Sequence, residues 1–314
     1  MKRVLVTGAA GFIGRNAVRC LIAGGYTVHT AGRKPLESAG ITHHAADLLR
    51  PGESARLVDA ARPTHLLHLA WNVEHGKYWT SPANLQWMEA SLCLLRDFVA
   101  FGGKRCVTAG TCAEYEWGHD TCVEGETPLK PATLYGVCKH SLQIIQSAFC
   151  RSAGVSSAWG RIFHLYGPHE QEQRLVPSVT ASLLSAEPAL CTSGLQIRDF
   201  LHVEDVARAL VAILASNLEG PVNIGSGNPV RLREVVDTLG QITGRTDLLR
   251  PGAIPANPND PHRLIPDIAR LRSIGFMPRF SLETGLRETV DWWRKTKRSG
   301  TETVLPRAPL SPAE

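Results

Sequence analysis

One stretch near the start of the chain, Val4-Leu5-Val6-Thr7-Gly8-Ala9-Ala10-Gly11-Phe12-Ile13-Gly14, restricts the available folds more than any other. A short aliphatic run enters three glycines spaced Gly-x-x-Gly-x-x-Gly, and a helical pattern over Gly14–Ala23 follows at once. A strand that turns into a helix through glycines brings bare backbone close to a ligand. The helix start then presents free N–H groups and the positive end of its dipole, the arrangement that holds a pyrophosphate. Glycine triplets also serve tight turns that bind nothing. The position between a first strand and a first helix is what points to a dinucleotide.

The same rhythm continues. The pattern predicts strands at Arg3–Thr7, Thr27–Thr30, His65–Ala70, Arg105–Thr108 and Ser156–Phe163, with helices over Gly14–Ala23, Gly52–Ala61, Ala83–Phe101 and Thr133–Ala153. Strands alternating with helices give an α/β chain: a doubly wound parallel Rossmann sheet, here with a smaller, interleaved C-terminal substrate lobe. The expected division is 1–165 for the dinucleotide-binding domain, with returning segments near 196–225, and 166–298 mainly for the substrate lobe. A disordered tail is expected over 299–314, where Pro306, Pro309 and Pro312 stand among small polar residues. The 314 residues, 43% of them hydrophobic, are enough for a large core without disulfides or metals. The 8 cysteines are scattered, with no Cys-x-x-Cys pair, so reduced thiols in a cytoplasmic protein and no metal site are expected. With a first strand beginning within a few residues of Met1 no signal peptide is expected, and no apolar stretch has membrane length. The net charge of +5 comes without a basic run, which suits a small anionic substrate better than nucleic acid.

Cofactor choice is legible at the end of the second strand. A ribose with a free 2′-hydroxyl is normally met there by a carboxylate. This chain reads Thr30-Ala31-Gly32-Arg33-Lys34, so two cations stand in its place, and a 2′-phosphate, hence NADP(H), is the expected partner of Arg33. Lys34 is equally well explained as a solvated surface residue. Asp47-Leu48, after the next short run, is placed to meet the adenine.

Tyr135-Gly136-Val137-Cys138-Lys139 puts a phenol and an amine one helical turn apart on one face. A tyrosine with an ordinary pKa of about 10 exchanges its proton poorly at neutral pH, and a nearby ammonium favours its ionised form. Such a phenol acts as the acid in ketone reduction and the base in alcohol oxidation. A surface pair of the same spacing is common; what argues for chemistry is Thr111, a hydroxyl at the carboxyl end of a predicted strand, where open α/β sheets bind ligands.

On these residues the chain resembles the extended short-chain dehydrogenase/reductase family, and within it the nucleotide-sugar branch. The matching stretches are the glycine loop, Asp47-Leu48, Leu67-His68-Leu69-Ala70, Asn84, Thr111, Tyr135 with Lys139, Tyr166-Gly167-Pro168, Arg198-Asp199-Phe200-Leu201-His202-Val203-Glu204-Asp205-Val206, Asn223-Ile224-Gly225-Ser226-Gly227 and Gly285-Leu286-Arg287-Glu288-Thr289-Val290-Asp291-Trp292. The resemblance implies that Gly8, Gly11, Phe12, Ile13, Gly14, Arg33, Asp47, Leu48, Leu69 and Ala70 line the cofactor. It also implies that Thr111 orients the substrate oxygen, that Tyr135 exchanges its proton, and that Lys139 holds the nicotinamide ribose while lowering the tyrosine pKa. A homodimer through the helices containing Asn84–Phe101 and Ala132–Ala153 is likewise implied, although burial against the sheet also explains their apolar faces.

Departures from the family narrow the reaction. Sugar 4,6-dehydratases carry an Asp-Glu pair directly after the catalytic threonine; here stand Cys112 and Ala113. The epimerase-reductases of fucose nucleotides use a cysteine and a histidine where this chain has Ala113 and Arg174. What remains is reduction by NADPH of a keto group, at C4, of a nucleoside-diphosphate 4-keto-6-deoxyhexose. The alternatives are a 4-epimerase, a reductase of a non-sugar ketone, and a non-catalytic NADP(H)-sensing regulator. Arg198 and Arg263 match positions where the family grips the diphosphate, and structural ion pairs would explain them too. His164 stands where the family often has asparagine before its Tyr-Gly-Pro stretch; a substrate contact and a packed ring both fit. The aromatic loop Trp71, Val73, His75, Tyr78 and Trp79 either covers the sugar or packs the lobes together, and Trp292-Trp293 reads as core.

Overall fold

The computed structural model describes residues 2–36 and 38–299. The first half lays down β1 (Arg3–Thr7), α1 (Gly14–Ala23), β2 (Thr27–Gly32), β3 (Ile41–Ala45), α2 (Glu53–Ala61), β4 (His65–His68), α3 (Ala83–Ala100), β5 (Arg105–Thr111), α4 (Leu134–Ser152) and β6 (Ser156–Ile162). The second half continues with β7 (His164–Tyr166), α5 (Leu175–Leu184), β8 (Ala189–Cys191), β9 (Ile197–His202), α6 (Val203–Ala215) and β10 (Gly220–Ile224). It ends with β11 (Pro229–Arg231), α7 (Leu232–Thr243), β12 (Leu249–Pro251), β13 (Arg263–Leu264), α8 (Ala269–Arg272) and α9 (Leu282–Ser299).

Seven parallel strands form the main sheet in the order β10-β6-β5-β4-β1-β2-β3. Both of its faces are covered, which is why its strands are apolar at successive positions rather than alternating with polar ones. Side chains nonetheless alternate between two cores. Val4 and Val6 of β1 join the layer built by α1 and α6, with Val18, Leu21, Val206 and Leu210. Leu5, between them, joins Leu57, Leu94 and Phe98 from α2 and α3. A third core, around Tyr166, Val179, Val235, Leu239, Leu286 and Val290, belongs to α5, α7 and α9 of the smaller lobe. That lobe is interleaved with the sheet: β9 pairs with β7, β11 and β13, and the chain then returns as α6 and β10, the latter against β6. Arg105, at the first residue of β5, pins the return by donating to the carbonyls of Ile213, Leu214 and Leu218 just at and after the end of α6.

Strand order reverses between β1 and β4, and such a switch point opens a crevice at the carboxyl ends of the strands. Beyond shifts of one or two residues at the ends of β2 and β6, the structure differs from the sequence reading in four places. Ile41–Ala45, absent from the predicted strands, is the half-exposed edge strand β3, held by backbone pairing to β2 rather than by an apolar pattern. The strand predicted over His65–Ala70 stops at His68, because the N–H groups of Leu69 and Ala70 turn to the Thr7 hydroxyl. β5 runs on to Thr111, pairing with Ile162, so Thr111 is the last residue of the strand and not a residue beyond it. Finally, of the expected core pair only Trp293 is buried, whereas Trp292 is half-buried and meets His169 with tilted rings, centroids 4.5 Å apart. Of the expected tail, Ser299 closes α9 and the rest lies outside the described residues.

Candidate active site

At the end of β1, Gly8 takes φ +69°, a left-handed conformation that glycine adopts without penalty. A Cβ there would stand 2.8 Å from the backbone nitrogen of Ala70, and one on Gly14 would stand 2.1 Å from the carbonyl oxygen of Gly8. The Gly11 N–H closes the turn on the Gly8 carbonyl at 3.0 Å. No side chain caps the N-terminus of α1, and no acidic residue lies in its first turn. This is a cradle of backbone with a positive helix end behind it, which suits an anionic diphosphate.

A buried hydrogen-bond chain fixes the opposite wall. The Thr7 hydroxyl accepts the Leu69 and Ala70 N–H groups at 3.2 Å each, so its proton goes to His68 Nδ1 at 2.7 Å. His68 Nε2–H then meets Ser91 Oγ at 2.8 Å, and Ser91 donates to the Trp87 carbonyl at 2.6 Å. Burial, with the Lys139 charge adding to it, brings His68 down to about 3, which keeps this ring neutral. The chain thus holds Leu69 and Ala70 beside Gly8. Arg33 and Lys34 lie exposed just beyond the end of β2. The Ala46 N–H bonds the Gly32 carbonyl, which brings Asp47 and Leu48 next to them; Leu48 packs on the core and Asp47 is half-buried.

Across the crevice, Thr111 ends β5 and caps a single turn of 3₁₀ helix, Cys112–Glu114. Its hydroxyl accepts the Ala113 N–H at 3.2 Å. Tyr135 and Lys139, both buried, rise from the first turns of α4, whose N-cap Thr133 accepts from Gly136. Lys139 Nζ donates to the Ala109 carbonyl at 2.9 Å and sits 3.9 Å from the Trp71 ring centroid. Burial lowers the ammonium to about 7, and Glu114 works against that fall. The Tyr135 phenol is enclosed by aromatic edges, with Tyr78 at 4.9 Å, Trp79 at 5.9 Å and Trp71 at 6.4 Å between centroids. Burial, and secondarily Tyr78, push its pKa above the ordinary value, and the nearby Thr111 hydroxyl works against that rise. The sequence expectation was a phenol made more acidic; in the structure burial in the aromatic surroundings raises its pKa instead.

The loop after β4 is therefore an aromatic wall on Tyr135. Asn84 anchors it, accepting from Trp71 Nε1 at 2.8 Å and donating to the Tyr78 carbonyl at 2.7 Å. Gln171 of the smaller lobe ties down its tip, accepting from the His75 N–H and donating to the Val73 carbonyl.

On the substrate side, His164 lies in β7 with its Nδ1 buried and without a hydrogen-bond partner. Burial, then the charges of Arg198 and Arg174, bring it down to about 3. Arg198 is buried on β9 and bonds Asp260 at 2.6 Å. Arg263 donates to the Asp120 carbonyl at 2.8 Å, and the register pairs it with Ile197 rather than with Arg198. The two arginines therefore point from opposite faces of the small sheet, and Arg174 is the second cation acting on His164. Cys112 is pushed up to about 12, first by burial, and stays a thiol. Among the described residues, no group of three or more His, Cys, Asp or Glu could hold a metal ion, and no helix is long and apolar enough to cross a membrane.

Two functional features escape the sequence reading. From the sequence Arg174 stands out only as the replacement of a catalytic histidine. Glu114 was passed over, although Thr111-x-x-Glu114 carries the signature of a capping box.

A doubly wound sheet with a glycine cradle at its switch point and a hydroxyl, phenol and amine on the facing wall defines the short-chain dehydrogenase/reductase class. More narrowly, residues 4–225, well over half of the chain, match the model of the NAD dependent epimerase/dehydratase family, and the chain belongs to that family. UDP-glucuronic acid decarboxylase 1 of Xenopus tropicalis is 26% identical over 94% of this chain and 72% of that protein. dTDP-glucose 4,6-dehydratase of Salmonella typhimurium is 26% identical over 93% of this chain and 92% of that protein. Among solved structures, UDP-glucose 4-epimerase of Thermotoga maritima with UDP-glucose superposes with a TM-score of 0.83 at 26% identity, over 94% of this chain and 99% of that one. The Thermus thermophilus UDP-glucose 4-epimerase in complex with NAD gives 0.83 at 27% identity, over 93% and 99%.

Proposed function

We propose that this chain reduces the C4 keto group of a nucleoside-diphosphate 4-keto-6-deoxyhexose, using NADPH. The observation that carries the reading is the make-up of the wall around Tyr135. One phenol, one amine and one hydroxyl converge there, while the next two positions of the turn hold a thiol pushed up to about 12 and the methyl of Ala113. Elimination of water or inversion beside the ketone needs a further acid–base pair at those positions. Proton transfer to a single oxygen does not.

The chain's own groups divide the work. The backbone of Gly8, Gly11, Phe12, Ile13 and Gly14 would hold the cofactor diphosphate, Arg33 the 2′-phosphate, Asp47 and Leu48 the adenosine, and Leu69, Ala70 and Lys139 the nicotinamide end. When bound, the reduced nicotinamide supplies the hydride. Tyr135 gives its phenolic proton to the oxygen that gains charge, and Thr111 offers that oxygen a second hydrogen bond. The dry aromatic wall strengthens both interactions by excluding water. Arg174 and Arg198, the latter already paired with Asp260, would supply the positive charge for the substrate diphosphate beside the neutral His164 ring, while Arg263, on the opposite face of the small sheet, stays with the Asp120 carbonyl.

A second reading, 4-epimerisation, is favoured by the likeness to the two UDP-glucose 4-epimerases. The two readings differ in stoichiometry. Reduction consumes one NADPH per sugar, seen as loss of the reduced-nicotinamide absorbance on adding a nucleoside-diphosphate 4-keto-6-deoxyhexose. Sugar inversion in UDP-glucose without net cofactor consumption would replace the first reading by the second.

A further inference from the structure

The turn that carries Thr111 is built around a buried carboxylate. Glu114 is fully buried, and its two oxygens accept three hydrogen bonds of different origin. Oε1 takes the Thr111 backbone N–H at 2.9 Å and Trp159 Nε1 at 2.8 Å, while Oε2 takes Arg161 Nε at 2.8 Å. Arg161 is fully buried as well, and also donates to Tyr115 Oη, which in turn donates to Asn223. Space for this cluster depends on Gly110, where a Cβ would stand 2.0 Å from Trp159 Nε1 and 2.7 Å from Glu114 Oε1.

A buried ion pair is weak evidence for stability, since the cost of removing both charges from water offsets their attraction. A role in the neighbouring site is the better account. We propose that Glu114 is a positioning residue of this site: its carboxylate, oriented by Arg161 and Trp159, holds the Thr111 turn in place and puts a fixed negative charge beside the start of α4, which carries Tyr135 and Lys139. The inference rests on the catalytic reading of those three residues. It involves no contact of Glu114 with substrate or cofactor.

The charged and titratable groups around it are accounted for from every side. Arg161 faces it from β6, and Lys139, His140 and Tyr135 feel it from α4. Cys112 and Tyr115 flank it on its own turn, and Tyr78 approaches Tyr135 from the aromatic wall. Toward Lys139 and Tyr135 alike the negative charge favours the protonated form. Its loss therefore moves both titrations to lower pH.

The test uses the whole chain with carbon-13-labelled lysine, following the Lys139 Cε resonance, assigned with Lys139→Arg, across pH. Glu114→Gln should shift the Lys139 midpoint down by about one pH unit or more, as expected when a neighbouring charge in a dry site is removed. Trp159→Phe removes one donor but leaves the charge, and should leave the midpoint in place. In turnover, Glu114→Gln should lower kcat about tenfold with KM changed less than about twofold, because a displaced Thr111 weakens the transition state more than binding. The alkaline limb of its pH profile should move the same way as the Lys139 midpoint. An unshifted Lys139 midpoint in Glu114→Gln would overturn the proposal. Should that variant not fold, Glu114→Asp, which keeps the charge but withdraws the carboxylate from the Thr111 N–H, should lower kcat about tenfold, and wild-type kcat in it would overturn the proposal. The resonance needs no substrate, so a shifted midpoint alongside no NADPH consumption sinks the ketoreductase reading while leaving the field of Glu114 demonstrated.

Discussion

Two strand ends face each other across the crevice, and they are made by opposite means. The end of β1 is shaped by what is missing: Gly8, Gly11 and Gly14 carry no side chain, and backbone alone forms the cradle. The end of β5 is shaped by what is buried: Thr111 is held by a carboxylate that has its own arginine and indole. A cradle for a diphosphate tolerates many sequences around its glycines, because the ligand is met by groups every residue has. A proton-transfer site needs particular atoms in particular places, so its support must be side chains tied by hydrogen bonds, here with Nη2 of Arg161 the one buried group of the cluster left without a partner.

Substitutions can break this contrast, and the largest effect belongs to the glycine side. Gly14→Ala puts a methyl 2.1 Å from a carbonyl oxygen with no flexible side chain to yield. It should cost about 3 kcal/mol of stability and abolish cofactor binding, as read by thermal unfolding with and without NADPH. Tolerance of alanine there would mean that backbone proximity does not define the cradle. On the other wall, Tyr135→Phe should lower turnover at least about a hundredfold while NADPH affinity changes little, measured by steady-state kinetics beside a cofactor titration. Unchanged turnover would remove the phenol from the chemistry.

A smaller effect concerns the amine. Burial places Lys139 at about 7, against 10.5 for a free lysine, so between those pH values the unfolded chain binds a proton that the folded one lacks. Its contribution to stability is therefore most unfavourable below about pH 7 and improves as pH rises towards 10.5. Lys139→Met should raise the melting temperature of the cofactor-free protein by several degrees at pH about 6, with the gain fading in alkali. A gain that grew with pH would contradict the burial of an ammonium. The smallest effect sits at the edge of the cradle: Arg33→Ala, at an exposed position, should weaken NADPH about tenfold and NADH hardly at all, by calorimetry. Equal losses would refute the 2′-phosphate contact.

The same contrast explains which parts were legible in the sequence. β1, α1 and the glycine turn were readable because their signals are local: an aliphatic run, a fixed glycine spacing, a helix that begins where the glycines end. The Tyr135–Lys139 pair was readable for the same reason, one helical turn being a property of adjacent residues. Glu114 meets Arg161 across 47 positions of the sequence and Trp159 across 45, and no local pattern reveals such a partner. The face on which Arg263 lies was hidden likewise, since it follows from the register of a two-residue strand against β9. Strand β3 was missed because an edge strand rich in histidine and threonine gains its place from backbone pairing.

The last strand of the main sheet has a consequence for how the molecule comes into being. Residues 220–224 supply the outer edge that covers β6, and α6 supplies half of one apolar layer. A nascent chain that has emerged only as far as β6 carries a sheet with a bare hydrogen-bonding rim and with Val107 of β5 and Ala158 and Ile162 of β6, which α6 covers, facing water. Synthesis must run through the first part of the smaller lobe before the nucleotide half can close. Cutting the gene between the two would yield an insoluble fragment in place of a stand-alone cofactor-binding module.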